Sequence, residues 1–145
     1  MNTTLLRRLV FCLIGTLGLA LLLPWGIYWL GLSRLSHYPE PPVRAISAVQ
    51  HEWVRRLAGG EGDPVVTPLT PFSYGYAIFA REMEADKSTR VIGLVASDHL
   101  SNQEPQQRML WRHLSGAALT IWLSRNWTDQ QITAAALVAL QRRPR

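Results

Sequence analysis

From Leu9 to Leu32 the chain runs for 24 residues without a charged side chain, and its leucines, isoleucines, glycines and aromatics show no polar face. At a rise of about 1.5 Å per residue this makes a helix of about 36 Å, enough to cross a hydrocarbon core of about 30 Å with some tilt. A cleaved secretory signal has a shorter apolar region followed by small residues. Here Pro24-Trp25-Gly26-Ile27-Tyr28-Trp29 follows the leucines and no Ala-x-Ala pattern is present. The pattern therefore predicts a retained signal anchor. Trp25, Tyr28 and Trp29 cluster at its C-terminal end, where amphipathic rings favour the headgroup layer, and Arg7 and Arg8 precede it. That asymmetry favours a cytoplasmic N-terminus, although Arg34 and Arg44 beyond the span soften it.

The periodicity then changes. Residues 36–43 include Tyr38-Pro39-Glu40-Pro41-Pro42, which predicts an extended, semi-rigid spacer holding the C-terminal domain a short way off the bilayer. Between Arg44 and Ala58, Ile46, Val49, Trp53, Val54 and Leu57 recur at helical spacing, and Gly59-Gly60 supplies a stop. Glu61 to Pro71 has three prolines and reads as a loop. Thr70 before Pro71 is a cap for a helix from Phe72 to Ala85. Arg90 to Leu100 fits either a helix or a short branched strand. Leu110, Leu114, Ala117, Ala118, Ile121 and Trp122 then mark one buried stripe of a helix that starts beyond Pro105 and ends near Asn126. Thr128-Asp129-Gln130-Gln131 has capping-box spacing, and a last helix follows with Ile132, Ala135, Ala136, Ala139 and Leu140 on one side. The expected fold is mostly α: an anchor over 1–35, a Pro-rich spacer over 36–43, a small helical domain over 44–141 and a basic tail over 142–145.

Composition narrows the function classes. Arg7 and Arg8 supply two of the 15 Lys/Arg, leaving 13 against 10 Asp/Glu, so the part beyond the anchor carries only +3. Its one tight basic cluster is Arg142-Arg143-Pro144-Arg145, and with no cationic face lined by aromatics nucleic acid is set aside as a partner. The single cysteine, Cys12, lies inside the apolar span, so there is no internal disulfide and no thiolate metal site. His37, His51, His99 and His113 share no metal-ligand spacing. No metal or other cofactor is expected. Serine hydrolase chemistry lacks a nucleophile-elbow sequence.

Carboxylates are the remaining candidates. Glycosyl transfer and glycoside cleavage both use a positioned carboxyl group to take or give a proton while charge grows at the sugar carbon. Glu52 sits on the first helix of the domain beside apolar Trp53, where desolvation can raise a carboxyl pKa. On the residues alone, a solvated position on an amphipathic helix is the favoured reading.

A run of motifs bears on that choice. Thr120-Ile121-Trp122-Leu123-Ser124-Arg125-Asn126-Trp127-Thr128-Asp129-Gln130-Gln131-Ile132 resembles the helix-break-helix segment of the family 51 peptidoglycan glycosyltransferases. The stretch from Ser88 to Ser101 lies without a gap on that family's "STITQQLAKNLFLS" block, and Glu52 precedes Asp63-Pro64 by the interval that separates the family's catalytic Glu from a later Asp-Pro. The resemblance covers Ala48 to Leu137. It implies a lysozyme-like helical fold in which Glu52 is the base, Ser88 and Thr89 open the donor-site block and Arg112 matches the Arg of the "RK--E" motif. It also implies a lipid-linked peptidoglycan precursor as ligand. The departures are several: Trp53 replaces an acidic neighbour, Ile92 and Gly93 replace paired Gln residues, His113 replaces a Lys, Gly116 stands where a second Glu belongs and Asp129 reverses a Lys. Missing cations and a missing carboxylate each remove several kcal/mol (order of magnitude) of transition-state stabilisation.

The expectation is thus a single-pass protein of the bacterial inner membrane with a periplasmic, glycosyltransferase-like, non-catalytic domain that binds lipid-linked precursor or a cell-wall synthesis protein. A divergent active glycosyltransferase using Glu52 and a small structural subunit of a membrane complex are the alternatives. The latter would show Trp111, Trp122 and Trp127 together on one solvent face.

Overall fold

The computed structural model describes residues 3–43, 45–57, 66–80, 87–103 and 108–142. Six helices account for most of them: α1 (Thr3–Leu32), α2 (Ala48–Leu57), α3 (Pro71–Phe79), α4 (Lys87–Gln103), α5 (Met109–Asn126) and α6 (Asp129–Arg142). No strand occurs among the described residues, so the stretch from Arg90 to Leu100 is helix. The mostly α fold is as expected, and α1 is long and apolar enough to cross a membrane.

Local chemistry sets the starts of these helices. Ser47 and Gln50 exchange backbone and side-chain hydrogen bonds, 3.0 and 3.3 Å, so α2 begins at Ala48 rather than Arg44. The Thr70 hydroxyl accepts from the Ser73 amide at 3.0 Å, the Ser73 hydroxyl accepts from the Thr70 amide at 2.8 Å, and Pro71 fills the first turn of α3. Thr128 and Gln131 form the predicted box at α6, where Asp129 in the first turn complements the helix dipole. The Gly59-Gly60 stop, the Asp63-Pro64 pair and Pro105 lie outside the described residues.

α5 is the central helix. On one side Leu119 and Leu123 join Val54 of α2, Val91, Ile92, Val95, Ala96 and Leu100 of α4, and Ile132, Ala136 and Leu137 of α6 in the main core. On another side Ala118 and Ile121 meet Tyr28 and Leu32 of α1, together with Leu69. The one-stripe expectation for α5 therefore needs correction. Leu110 is exposed, Leu114, Ala117 and Trp122 are half-buried, and Ser115, Thr120 and Ser124 are buried. A helix packed on two sides cannot carry a single apolar stripe. In α2 likewise Val54 of the predicted face is buried, while Val49 and Trp53 are exposed.

The end of α1 is part of this packing. Arg34 stacks on Trp111 at 4.4 Å, the Ser115 hydroxyl donates to the Gly31 carbonyl at 3.1 Å, and Arg125 lies over Trp25 at 5.8 Å. As the α1 numbers fall the α5 numbers rise, so the two helices run antiparallel. A Cβ on Gly31 would stand 2.7 Å from the Ala118 Cβ and 2.8 Å from the Leu114 carbonyl oxygen, so only glycine permits this approach. Nor does the proline segment extend away from the domain as a spacer. Tyr38 stacks against Trp122 with centroids 4.9 Å apart, and His37 meets His99 edge-on at 5.6 Å.

Candidate functional site

Glu52 is half-buried, and its Oε1 accepts a hydrogen bond from Arg56 Nε at 2.9 Å, one helical turn away. The buried contact of α2 is Val54, and two helical residues separate Cβ directions by about 200°. Glu52 therefore points away from the side on which α2 meets the core.

Ser88 and Thr89 are buried in the first turn of α4, and Arg112 is half-buried near the start of α5. The Arg112 guanidinium donates through Nη2 to the Ser101 hydroxyl in the last turn of α4. Ser88 and Ser101 are thirteen helical residues apart, about 20 Å along the axis. The Ser88–Thr89 pair and Arg112 thus occupy opposite ends of α4, too far apart to hold one diphosphate or one sugar.

Two cavities lie elsewhere, and Glu52, Ser88, Thr89 and Arg112 line neither. The first, about 460 Å³, is covered by the His37–Pro42 strap and floored by α4 and α6. Three groups form a clasp there. His99 Nε2 donates to the His37 carbonyl at 3.1 Å, and the Gln103 amide reaches His99 Nδ1 at 3.3 Å and His37 Nε2. Burial pushes the His99 pKa down, and the nearby His37 ring acts in the same direction, against the opposing effects of the His37 carbonyl and Asp98. Asp98 itself pairs with Arg142 at 3.2 Å, so the first residue of the expected basic tail is the last residue of α6.

The second cavity is an apolar groove of about 530 Å³ between α1, α3 and α5, with Pro24, Ile27, Phe72, Tyr76, Leu110 and Leu114 among its walls. Tyr74 lines it, and burial raises its pKa, partly offset by a hydrogen bond with Thr120.

The three tryptophans expected of a shared patch do not share a solvent face. Trp127 is buried, Trp122 lies under Tyr38 and Trp111 under Arg34. Among the described residues no group of three or more His, Cys, Asp or Glu side chains is placed to hold a metal ion. The groove escaped sequence reasoning because its walls come from three helices. Its one visible signal was the uncharged run Pro71-Phe72-Ser73-Tyr74-Gly75-Tyr76-Ala77-Ile78-Phe79.

What the fold and its cavities define is a small helical domain packed directly onto the end of an apolar helix of membrane-spanning length. Compared with known protein families, with curated proteins and with solved structures, the chain matches none.

Proposed function

We propose that this protein is a non-catalytic, glycosyltransferase-like module of the bacterial inner membrane that binds lipid-linked peptidoglycan precursor or a cell-wall synthesis protein. In this reading α1 crosses the bilayer once, with Arg7 and Arg8 at the cytoplasmic face and the helical domain in the periplasm. The separation of Ser88 and Thr89 from Arg112 by most of the length of α4 is the observation that best supports its non-catalytic part. Glycosyl transfer needs the base, the donor diphosphate and its counter-charges within a few ångströms of one another, because the electrostatic stabilisation of the leaving group acts only at close range.

The test is glycan polymerisation by the full chain in liposomes loaded with lipid-linked precursor, beside a precursor-binding measurement on the same preparation. Binding without polymer is the expected result. Polymer that forms with the wild type and disappears in Glu52→Gln would overturn the non-catalytic reading in favour of a divergent enzyme.

A further inference from the structure

α3 exposes apolar surface that no other part of the chain covers among the described residues. Phe72, Tyr76 and Ile78 are 43%, 65% and 50% exposed, Phe79 is 90% exposed, and the nine-residue helix has no charged side chain. Beside it the groove against α1 and α5 adds Ile27 and Leu110, 46% and 69% exposed. A contiguous apolar face of this kind is costly in water unless something covers it.

The length of α1 identifies the cover. A hydrocarbon core of about 30 Å takes up about 20 helical residues. Arg8 is the last charge before the apolar run, so about 20 residues counted from Leu9 end near Tyr28. Pro24 and Ile27, which wall the groove, then lie at the hydrocarbon edge of the leaflet on the domain's side. Trp25 and Trp29 stand at the same level, and Arg125 over Trp25 is placed where a cation meets headgroup phosphates. Because α5 runs antiparallel to α1, Ile121 marks the deep end of the groove, and Leu110 with His113 the outer end. The groove is continuous with the exposed apolar surface of α1 at Leu23, Ile27 and Leu30.

We infer that α3 is an interfacial helix seated in the leaflet beside α1, and that acyl chains of bilayer lipids cover the deep end of the groove between α1, α3 and α5, around Ile27 and Ile121. The domain is then held to the membrane at two places. A single helix leaves a domain free to tilt about its end, whereas α1 and α3 together fix which surface of the domain faces the bilayer. The strap cavity over α4 and α6 is on a different side of α5 and stays in water. This inference rests on α1 crossing the bilayer, not on any glycosyltransferase kinship.

The test is depth-dependent quenching on the full chain, with Cys12→Ser removing the native thiol. Tyr76→Cys and Phe79→Cys carry an environment-sensitive fluorophore, with Leu17→Cys in the middle of α1 and Val49→Cys on α2 as references. Each protein is reconstituted in two sets of phosphatidylcholine liposomes, one containing lipid with a nitroxide high on the acyl chain and the other lipid with a nitroxide near the chain's methyl end, which reaches position 17. Insertion by about 5–10 Å predicts quenching at positions 76 and 79 about threefold or more above that at 49, with blue-shifted emission. Equal quenching at 76, 79 and 49, with position 17 strongly quenched, overturns the α3 assignment while leaving the α1 crossing intact. An unquenched position 17 overturns the crossing and the inference with it. Phe72→Cys and Ile78→Cys repeat the measurement at neighbouring exposed sites, so loss of fold in one variant does not decide the result.

Discussion

Replacing Gly31 by alanine tests the contact that joins the apolar helix to the domain. The added Cβ would sit 2.7 Å from the Ala118 Cβ and 2.8 Å from the Leu114 carbonyl oxygen. Neither neighbour is the free end of a flexible side chain, so α1 and α5 must separate along this stretch. Inserting a methyl group into a packed site costs about 1–3 kcal/mol, and stretching the hydrogen bond from the Ser115 hydroxyl to the Gly31 carbonyl removes up to about 1 kcal/mol more. Against this stands the helical preference for alanine over glycine, about 1 kcal/mol in favour of the variant. The balance is a loss of roughly 1–2 kcal/mol, or about 3–8 °C in melting temperature for a chain of this size.

Gly26 provides the internal control, because a Cβ there meets nothing within 4 Å. Gly26→Ala gains the helical preference without the clash and should melt at or slightly above the wild-type temperature. The assay is thermal unfolding of the full chain in one detergent, followed by loss of helical ellipticity. A second substitution, Ala118→Gly, removes the nearer of the two clashing atoms but leaves the Leu114 carbonyl, so the Gly31→Ala loss should be recovered only in part. If Gly31→Ala is as stable as Gly26→Ala, α1 does not pack on α5 at this distance. The domain would then hang from the end of α1 rather than sit on it.

Two further predictions probe the interior and the strap. Ser124 is buried, donates to the Ile121 carbonyl at 2.7 Å and accepts from the Leu69 amide at 2.9 Å, so Ser124→Ala orphans a buried N–H and should cost about 1–3 kcal/mol in chemical unfolding. Exposed Ser101, by comparison, should tolerate alanine with little loss. For His99 the native pKa lies below the usual imidazole value of about 6.5, so between the two the unfolded chain binds more protons than the folded one. Its contribution is therefore complete above about pH 6.5 and is lost as pH falls through the lowered native value. His37, Glu40, Asp98 and Arg142 face the same cavity and titrate or carry charge nearby, so the measurement compares wild type with His99→Gln across that window. A wild-type melting temperature that falls no more than the variant's would refute the sign.

Much of the helical framework was legible because its signals are local. Thr70 with Pro71 and Thr128 with Gln131 announce helix starts through spacing alone, and both caps form as the residue types require. Arg90 to Leu100 was ambiguous for the opposite reason. Val91, Ile92 and Val95 suit a strand intrinsically, and only burial against α5 and α6 settles them in a helix. The face of α2 was overread, because Val49 and Trp53 share the helical period of Val54 yet α6 covers only part of that side.

The candidate site was less legible, since motif order along a chain carries no distance. Ser88 and Arg112 lie close together in an aligned block of motifs, but a straight helix between Ser88 and Ser101 forces them apart by about 20 Å. The groove and the α1–α5 contact were missed for a related reason. Gly31 reads as a weak position near the end of an apolar helix, and Ser115-Gly116-Ala117-Ala118 reads as an interruption of the stripe in α5. Separately each lowers the helix propensity of its own segment. Together they remove the side-chain volume that would hold two backbones apart, so that the Ser115 hydroxyl reaches the Gly31 carbonyl. Small residues in two distant helices become a signal only when paired, and here the pair seats the end of α1 directly on α5.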